Sequence, residues 1–292
     1  MKIDKLLKRY RIQHGKHFNL KDHDPADTHG LEELKPQAKD LLAEGVKEMS
    51  RLQDILAAQD RWGLLLIFQA MDAAGKDGTI KHVMSGVNPQ GVQVWSFKSP
   101  TTEELDHDFL WRTTKRLPER GHIGIFNRSY YEETLIVRVH PQVLENEKIP
   151  KPLVTKFIWQ ERFEDINNFE RYLTRNGIVV VKFFLHLSKK EQKHRFLARL
   201  DTPDKNWKFS TADVKDREFW DAYQNVYQDV IRHTAKDYAP WYVVPADNKW
   251  FTRLVVSHAV VDALKGMNLK YPKISGAQKA ELAEARKQLE NE

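Results

Sequence analysis

Asp72, Gly75, Lys76 and Asp77 fall within one short stretch, IFQAMDAAGKDGTIKHV, residues 67–83. An apolar run leads into small residues, a Gly-Lys pair follows, and a helix is expected to open. That order is the layout of the P-loop motif G-x-x-x-x-G-K-[ST], in which main-chain N–H groups and a helix N-terminus cradle a phosphate. The match is incomplete. Ala70 stands at the first glycine position, Asp77 replaces the hydroxyl residue with Thr79 two places on, and Asp72 adds an acid inside the loop. Two carboxylates beside a polyanion make chemical sense if Mg²⁺ lies between them, because that ion takes one or two carboxylates plus phosphate oxygens. Asp72 is the better placed, since the loop wraps a phosphate from its side. Gly and Asp also serve ordinary turns for backbone reasons, but a strand before, a helix after and a lysine beside the glycine favour anion binding.

Two further segments could work with this loop. In HIGIFNRSYYEE (122–133) a strand delivers Asn127 and Arg128 at its carboxyl end, the edge where open α/β sheets bind ligands. Arg128 suits a clamp on a transferring phosphoryl group, whereas Asn127 offers a metal only a neutral oxygen. In KKEQKHRFLARLDTPDKNWKFSTADV (189–214), Arg195 and Arg199 are four apart and share a helix face, followed by a turn with Lys205 and Lys208. Alone this would be a solvated helix end; beside a phosphate loop it reads as the mobile, arginine-bearing lid of a small-substrate kinase. The 12 histidines form no H-E-x-x-H pattern, and His23 in KDHDPAD reads as part of a solvated loop. Trp111 and Trp159 read as core, and Trp207 stands in the lid.

The elements that must position these residues alternate. Strands are expected at WGLLLIF (62–68), GVQVWSF (91–97), HIGIF (122–126), GIVVVKFFLHL (177–187) and WYVV (241–244). Helical periodicity covers 31–59, 101–116, 152–177, 188–200, 211–235 and 250–264, with capping boxes at Thr101/Glu104 and Ser188/Glu191. The expectation is an α/β fold of P-loop kinase type: three layers, a five-stranded, mostly parallel sheet with helices on both faces, and a helical lid. The chain divides into a basic N-terminal extension (1–30), one phosphotransferase domain (31–270, lid about 188–216) and a charged C-terminal helix or tail (271–292).

Composition narrows the function class. The 292 residues, 41% hydrophobic and with eight tryptophans, support an ordered globule. The absence of cysteine excludes disulfides, thiolate zinc sites and thiol catalysis. No apolar run reaches the roughly 20 residues of a membrane helix, Lys182 interrupting the best candidate, and the N-terminus lacks a signal-peptide core, so a cytoplasmic protein is expected. The net charge of +6 suits either a solvated surface or a polyanionic partner.

These residues resemble the polyphosphate kinase 2 family over about 30–265: DAAGKDGTI its modified Walker A loop, IFNRSYYEE its Walker B region, RFLARLDTPDKNWKFSTADVKDREFWDAY its lid and following helix. SPTTEELDHDFLWRTTKRLPERG and PWYVVPADNKWFTRL are similar to further blocks of that family. The resemblance implies reversible phosphoryl transfer between inorganic polyphosphate and nucleotides (AMP to ADP, ADP to ATP, with GMP and GDP or other purine nucleotides open), and Mg²⁺ or Mn²⁺. It implies roles at the phosphates for Asp72, Lys76, Arg128 and the lid arginines Arg195 and Arg199. Phosphate-binding candidates are then Ala73, Ala74, Gly75, Lys76, Asp77, Gly78, Thr79, Lys81 and Lys208; metal candidates are Asp72, Asn127 and Glu132. Asn127 departs from an Asp that many members carry, which brings Glu132 forward and resembles the subgroup accepting both mono- and diphosphates. A homo-oligomer is a family expectation; membrane and nucleic-acid partners are not expected. The alternatives are an ATP-dependent nucleoside monophosphate kinase on the same fold and a non-catalytic polyanion- or RNA-binding protein.

Overall fold

The computed structural model describes residues 3–292, except the side chains of residues 3–6, Lys205 and Lys208. Its strands are β1 (Arg11–Ile12), β2 (Gly63–Gln69), β3 (Val92–Ser96), β4 (Ile123–Asn127), β5 (Ile178–His186) and β6 (Trp241–Pro245). They form one sheet in the order β1-β6-β5-β2-β4-β3. Neighbours run parallel except β1, which is antiparallel to β6. The sheet therefore has six strands where five were expected. The sixth comes from two residues of the N-terminal segment, too short to show any periodicity.

The longer helices are α1 (Ile3–Tyr10), α2 (Ala38–Gln59), α3 (Lys76–Val83), α4 (Ile158–Arg175), α5 (Lys189–Leu200), α6 (Thr211–Asp216), α7 (Trp220–Thr234), α8 (Lys249–Gly266) and α9 (Gly276–Glu290). Side chains alternate across a strand, and β2 is buried along its whole length. Leu64, Leu66 and Phe68 pack with Met49 and Leu56 of α2, Ile80 of α3 and Val255 of α8. Leu65 and Ile67 pack on the opposite side with Phe163 and Ile166 of α4 and Tyr227 and Ile231 of α7. This is a helix–sheet–helix sandwich. The N-terminal segment belongs to both cores: Leu7 and Tyr10 join the first, Phe18 and Leu20 the second.

Local detail departs from the periodicity in places. The helix expected over 101–116 is two short turns, Thr102–Leu105 and Trp111–Thr114. Thr101 and Glu104 form the capping box, but the Asp108 carboxylate accepts the N–H of Leu110 and starts the chain afresh. Ser188 caps α5 by accepting from the N–H of Glu191, while the Glu191 side chain turns to Arg195 instead of closing a box. Trp111 and Trp159 are half-buried rather than core: Trp111 stacks on His107 at 3.9 Å beneath Lys115, and Trp159 lies under Arg138 and Arg162. Helix α9 is exposed throughout and held by a Ser275/Gln278 capping box. Among the described residues, no helix is long and apolar enough to cross a membrane.

Strand β2 is the branch point. The chain leaves it for β3 and β4 on one side, then crosses to β5 and β6 on the other. Such a reversal opens a crevice at the carboxyl ends of the strands flanking it. The loops after β2, β4 and β5 meet there.

Candidate active site

The loop leaving β2 is built so that its carbonyls are all used. Every C=O from Ala70 to Gly75 accepts a hydrogen bond. Lys76 Nζ donates to Ala70 at 3.0 Å, Ala74 N–H to Met71, Gln192 to Asp72, Arg195 to both Ala73 and Ala74, and Thr79 N–H to Gly75. Ala73 and Gly75 have positive φ, 61° and 100°. Glycine adopts that region freely, but alanine does so at a cost, which the two bonds from Arg195 offset. No side chain caps α3 at Gly75, and the first N–H groups of a helix have no intrahelical partner. The turn from Gly75 to Gly78 therefore presents open N–H donors at the positive end of a helix, which suits an anion.

Charged groups ring this turn. Arg128 follows β4 with a positive φ of 64°, an uncommon backbone for a non-glycine residue, and its N–H is held by the Phe68 carbonyl. Its guanidinium lies 3.0 Å from Asp72 Oδ1 and 3.6 Å from Glu132, and the Arg128 and Asp72 side chains are 37% and 30% exposed. Glu132, then Asp72, hold Arg128 firmly in its charged form. The Lys76 ammonium is pushed the other way, by desolvation first and then by Arg128. An anion arriving here would oppose that shift and favour the charged ammonium.

The candidates separate by what they touch. Asp72 has one oxygen on Arg128 and, among the described residues, no protein partner for the other. Glu132 is more committed, accepting from Gln69 at 2.7 Å while facing Arg128. Asn127 gives its amide to Asp77 at 2.7 Å, so these two steady each other. Ala73 to Gly78 form the turn itself, Thr79 lies buried beneath it, and Lys81 is exposed in the last turn of α3. The Lys208 side chain lies outside the described residues.

The two arginines of α5 divide sharply. Arg195 is 7% exposed and its five N–H donors are all engaged: Glu191 takes Nε, Ala73 and Ala74 one terminal nitrogen, Ala246 and Asp247 the other. It has no donor left for a substrate. Arg199, one turn further, lies 3.9 Å from Asp213 of α6 and is partly exposed. The Asp213 carboxyl is raised by burial and by Asp72, which places it facing the same ring of charges.

Gln69, Gln192 and Asp213 escaped sequence reasoning. Gln192 was legible in principle: it sits three residues before Arg195, on the same helix face. Among the described residues, no three His, Asp or Glu side chains gather as a metal cluster. The donor set instead suits a hard cation that takes one carboxylate, Asp72, and completes its shell with a ligand's oxygens.

The sequence model of the polyphosphate kinase 2 family matches residues 33–272. An ADP-polyphosphate phosphotransferase of Rhodopseudomonas palustris is 50% identical, over 97% of this chain and 98% of its own length. An AMP/ADP-polyphosphate phosphotransferase of Meiothermus ruber is 46% identical over 91% and 96%. The chain belongs to the polyphosphate kinase 2 family. The crystal structure of polyphosphate kinase 2 from Arthrobacter aurescens, 41% identical, superposes with a TM-score of 0.84 over 94% of this chain and 95% of that one. Membership of this family puts the open turn, Lys76 and Arg128 in a phosphotransferase.

Proposed function

We propose that this chain transfers a terminal phosphoryl group reversibly between inorganic polyphosphate and nucleotides, AMP to ADP and ADP to ATP, with Mg²⁺. The observation that carries the reading is the turn after β2: its carbonyls are satisfied, its N–H groups are open, and Lys76, Arg128 and Asp72 stand around it. On this reading it is a P-loop, and the segment about 188–216 is its lid.

Phosphoryl transfer needs positioning and neutralisation of charge more than covalent chemistry. The open N–H groups and Lys76 hold the polyphosphate, and Asp72 is the residue with an oxygen to spare for the metal. Bound Mg²⁺ would draw charge from the phosphate oxygens. Arg128 is held in its charged form and, among the described residues, countered by carboxylates, so a phosphoryl group can replace Asp72 as its partner. Arg199 is the lid arginine with donors to offer, and its closing over the crevice excludes water, the competing acceptor. Lys81, exposed in the last turn of α3, extends the basic track for a longer chain.

The test supplies long-chain polyphosphate and Mg²⁺ to AMP with no other phosphoryl donor and follows ADP and ATP. Wild type makes both products. Asp72→Asn and Lys76→Ala each lose about a hundredfold, near 2.7 kcal/mol of barrier. The two relatives differ by name in acceptor, so ATP formation from ADP with AMP left untouched would remove the monophosphate step. Turnover with ATP as the donor, and none with polyphosphate, would replace the whole reading with an ordinary nucleotide kinase.

A further inference from the structure

We infer that Gln192 and Arg195 are positioning residues: they hold three consecutive carbonyls of the phosphate loop away from the substrate, so that its N–H groups face it. This deepens the reading above and rests on it.

Gln192 is buried, and its amide donates to the Asp72 carbonyl at 2.9 Å. Its own oxygen accepts from Arg217 at 2.6 Å, on the far side of the lid, which fixes the amide's orientation. Arg195 takes the next two carbonyls, Ala73 at 3.0 Å and Ala74 at 2.8 Å. Its other terminal nitrogen holds Ala246 and Asp247, in the turn after β6. One planar guanidinium thus bridges two loops that leave different strands.

A peptide unit is rigid, so fixing a carbonyl fixes the N–H of the residue that follows. Holding the Asp72, Ala73 and Ala74 carbonyls therefore aims the N–H groups of Ala73, Ala74 and Gly75. Ala74 spends its N–H on Met71 inside the turn; those of Ala73 and Gly75 are aimed outward. Ala73 also needs the support, because its positive φ is unfavourable for an alanine. A lysine at 195 would not replace the arginine. An ammonium is a point donor and cannot reach pairs of carbonyls on two sides at once.

The experiment measures amide hydrogen exchange in the 70–80 segment of the full chain without substrate, beside steady-state kinetics and thermal melting. Arg195→Ala should speed exchange in that segment at least tenfold while the core strands stay protected. It should also raise KM for polyphosphate more than KM for the nucleotide. Arg195→Lys should recover little of either, and Gln192→Leu should show the same pattern more weakly. Arg199→Ala should lower kcat and leave loop exchange at the wild-type rate. If Arg195→Ala leaves loop exchange unchanged, or speeds it uniformly across the chain along with a fall in melting temperature, the inference is overturned. A wild type that makes no nucleotide product from polyphosphate would sink the functional reading instead, and the exchange measurement would still stand.

Discussion

Two sets of opposed charges hang from the single turn that follows β4, and they are built on opposite plans. Beneath it, Lys182 of β5 and Glu170 of α4 are completely buried. All three N–H donors of Lys182 are spent, on Glu170, the Tyr131 hydroxyl and the Thr234 carbonyl, while Tyr130 and Tyr131 both donate to the other Glu170 oxygen. Above it, Arg128 faces Asp72 and Glu132 with roughly a third of its surface open. The lower set is saturated and dry, and it fixes the tyrosines that carry the turn. The upper set keeps partners that a ligand can displace. Rigidity below and exchangeability above are what a site handling a mobile polyanion requires.

The largest expected effect on stability comes from breaking the lower set by one half. Lys182→Met leaves Glu170 buried without its counter-charge and should destabilise the fold by about 3–5 kcal/mol in urea unfolding. Adding Glu170→Gln should recover most of that loss, because the double variant buries no unpaired charge. A double variant as unstable as the single would mean that the pair contributes by its geometry and not through its charges.

His186, four residues further along β5, sharpens the contrast: it is buried and, among the described residues, forms no ion pair. Burial pushes its imidazole from 6.5 down to about 4, with His23 and Asp24 as its charged neighbours. The unfolded chain therefore binds a proton that the folded chain refuses, so stability falls as pH drops from 6.5 towards 4, by up to about 3 kcal/mol. His23, lowered by burial too, adds to the slope. Urea midpoints between pH 7 and 4.5 should fall less steeply for His186→Asn than for wild type. Parallel slopes would show that the His186 imidazole is protonated as readily folded as unfolded.

What the sequence discloses depends on how local each relation is. The buried run of β2, the turn after it and the delivery of Asn127 and Arg128 at the end of β4 are set by neighbours in the chain. So they can be read from GLLLIF, DAAGKDG and HIGIFNR. Lys182 can be seen interrupting an apolar strand, but nothing near it names Glu170 on another element as its partner. The same limit applies to α5. A spacing of four puts Arg195 and Arg199 on one face, yet only the first turns of α5 pack on the loop, which makes one arginine a brace and leaves the other open. Strand β1 is two residues long and exists only because β6 offers an edge.

The smallest expected change in stability belongs to Asp72→Asn, and it tests the comparison from the exposed side. The Arg128–Asp72 pair is short, at 3.0 Å, but partly solvated on both sides. Ion pairs in that setting contribute roughly 0–1 kcal/mol. Arg128 keeps Glu132 as a counter-charge when Asp72 is neutralised, so no buried charge is stranded. The variant should unfold within about 1 kcal/mol of wild type, and the difference should shrink further in about 1 M salt, where screening acts over about 3 Å. The loss in Lys182→Met, shielded from solvent, should not respond to salt. Turnover should still fall about a hundredfold in Asp72→Asn, near 2.7 kcal/mol of barrier, separating function from stability at a single atom's change. Equal instability in the two variants would mean that the upper charges are a structural pair like the lower one, and that a phosphate could not displace Asp72 without loosening the turn that holds Arg128.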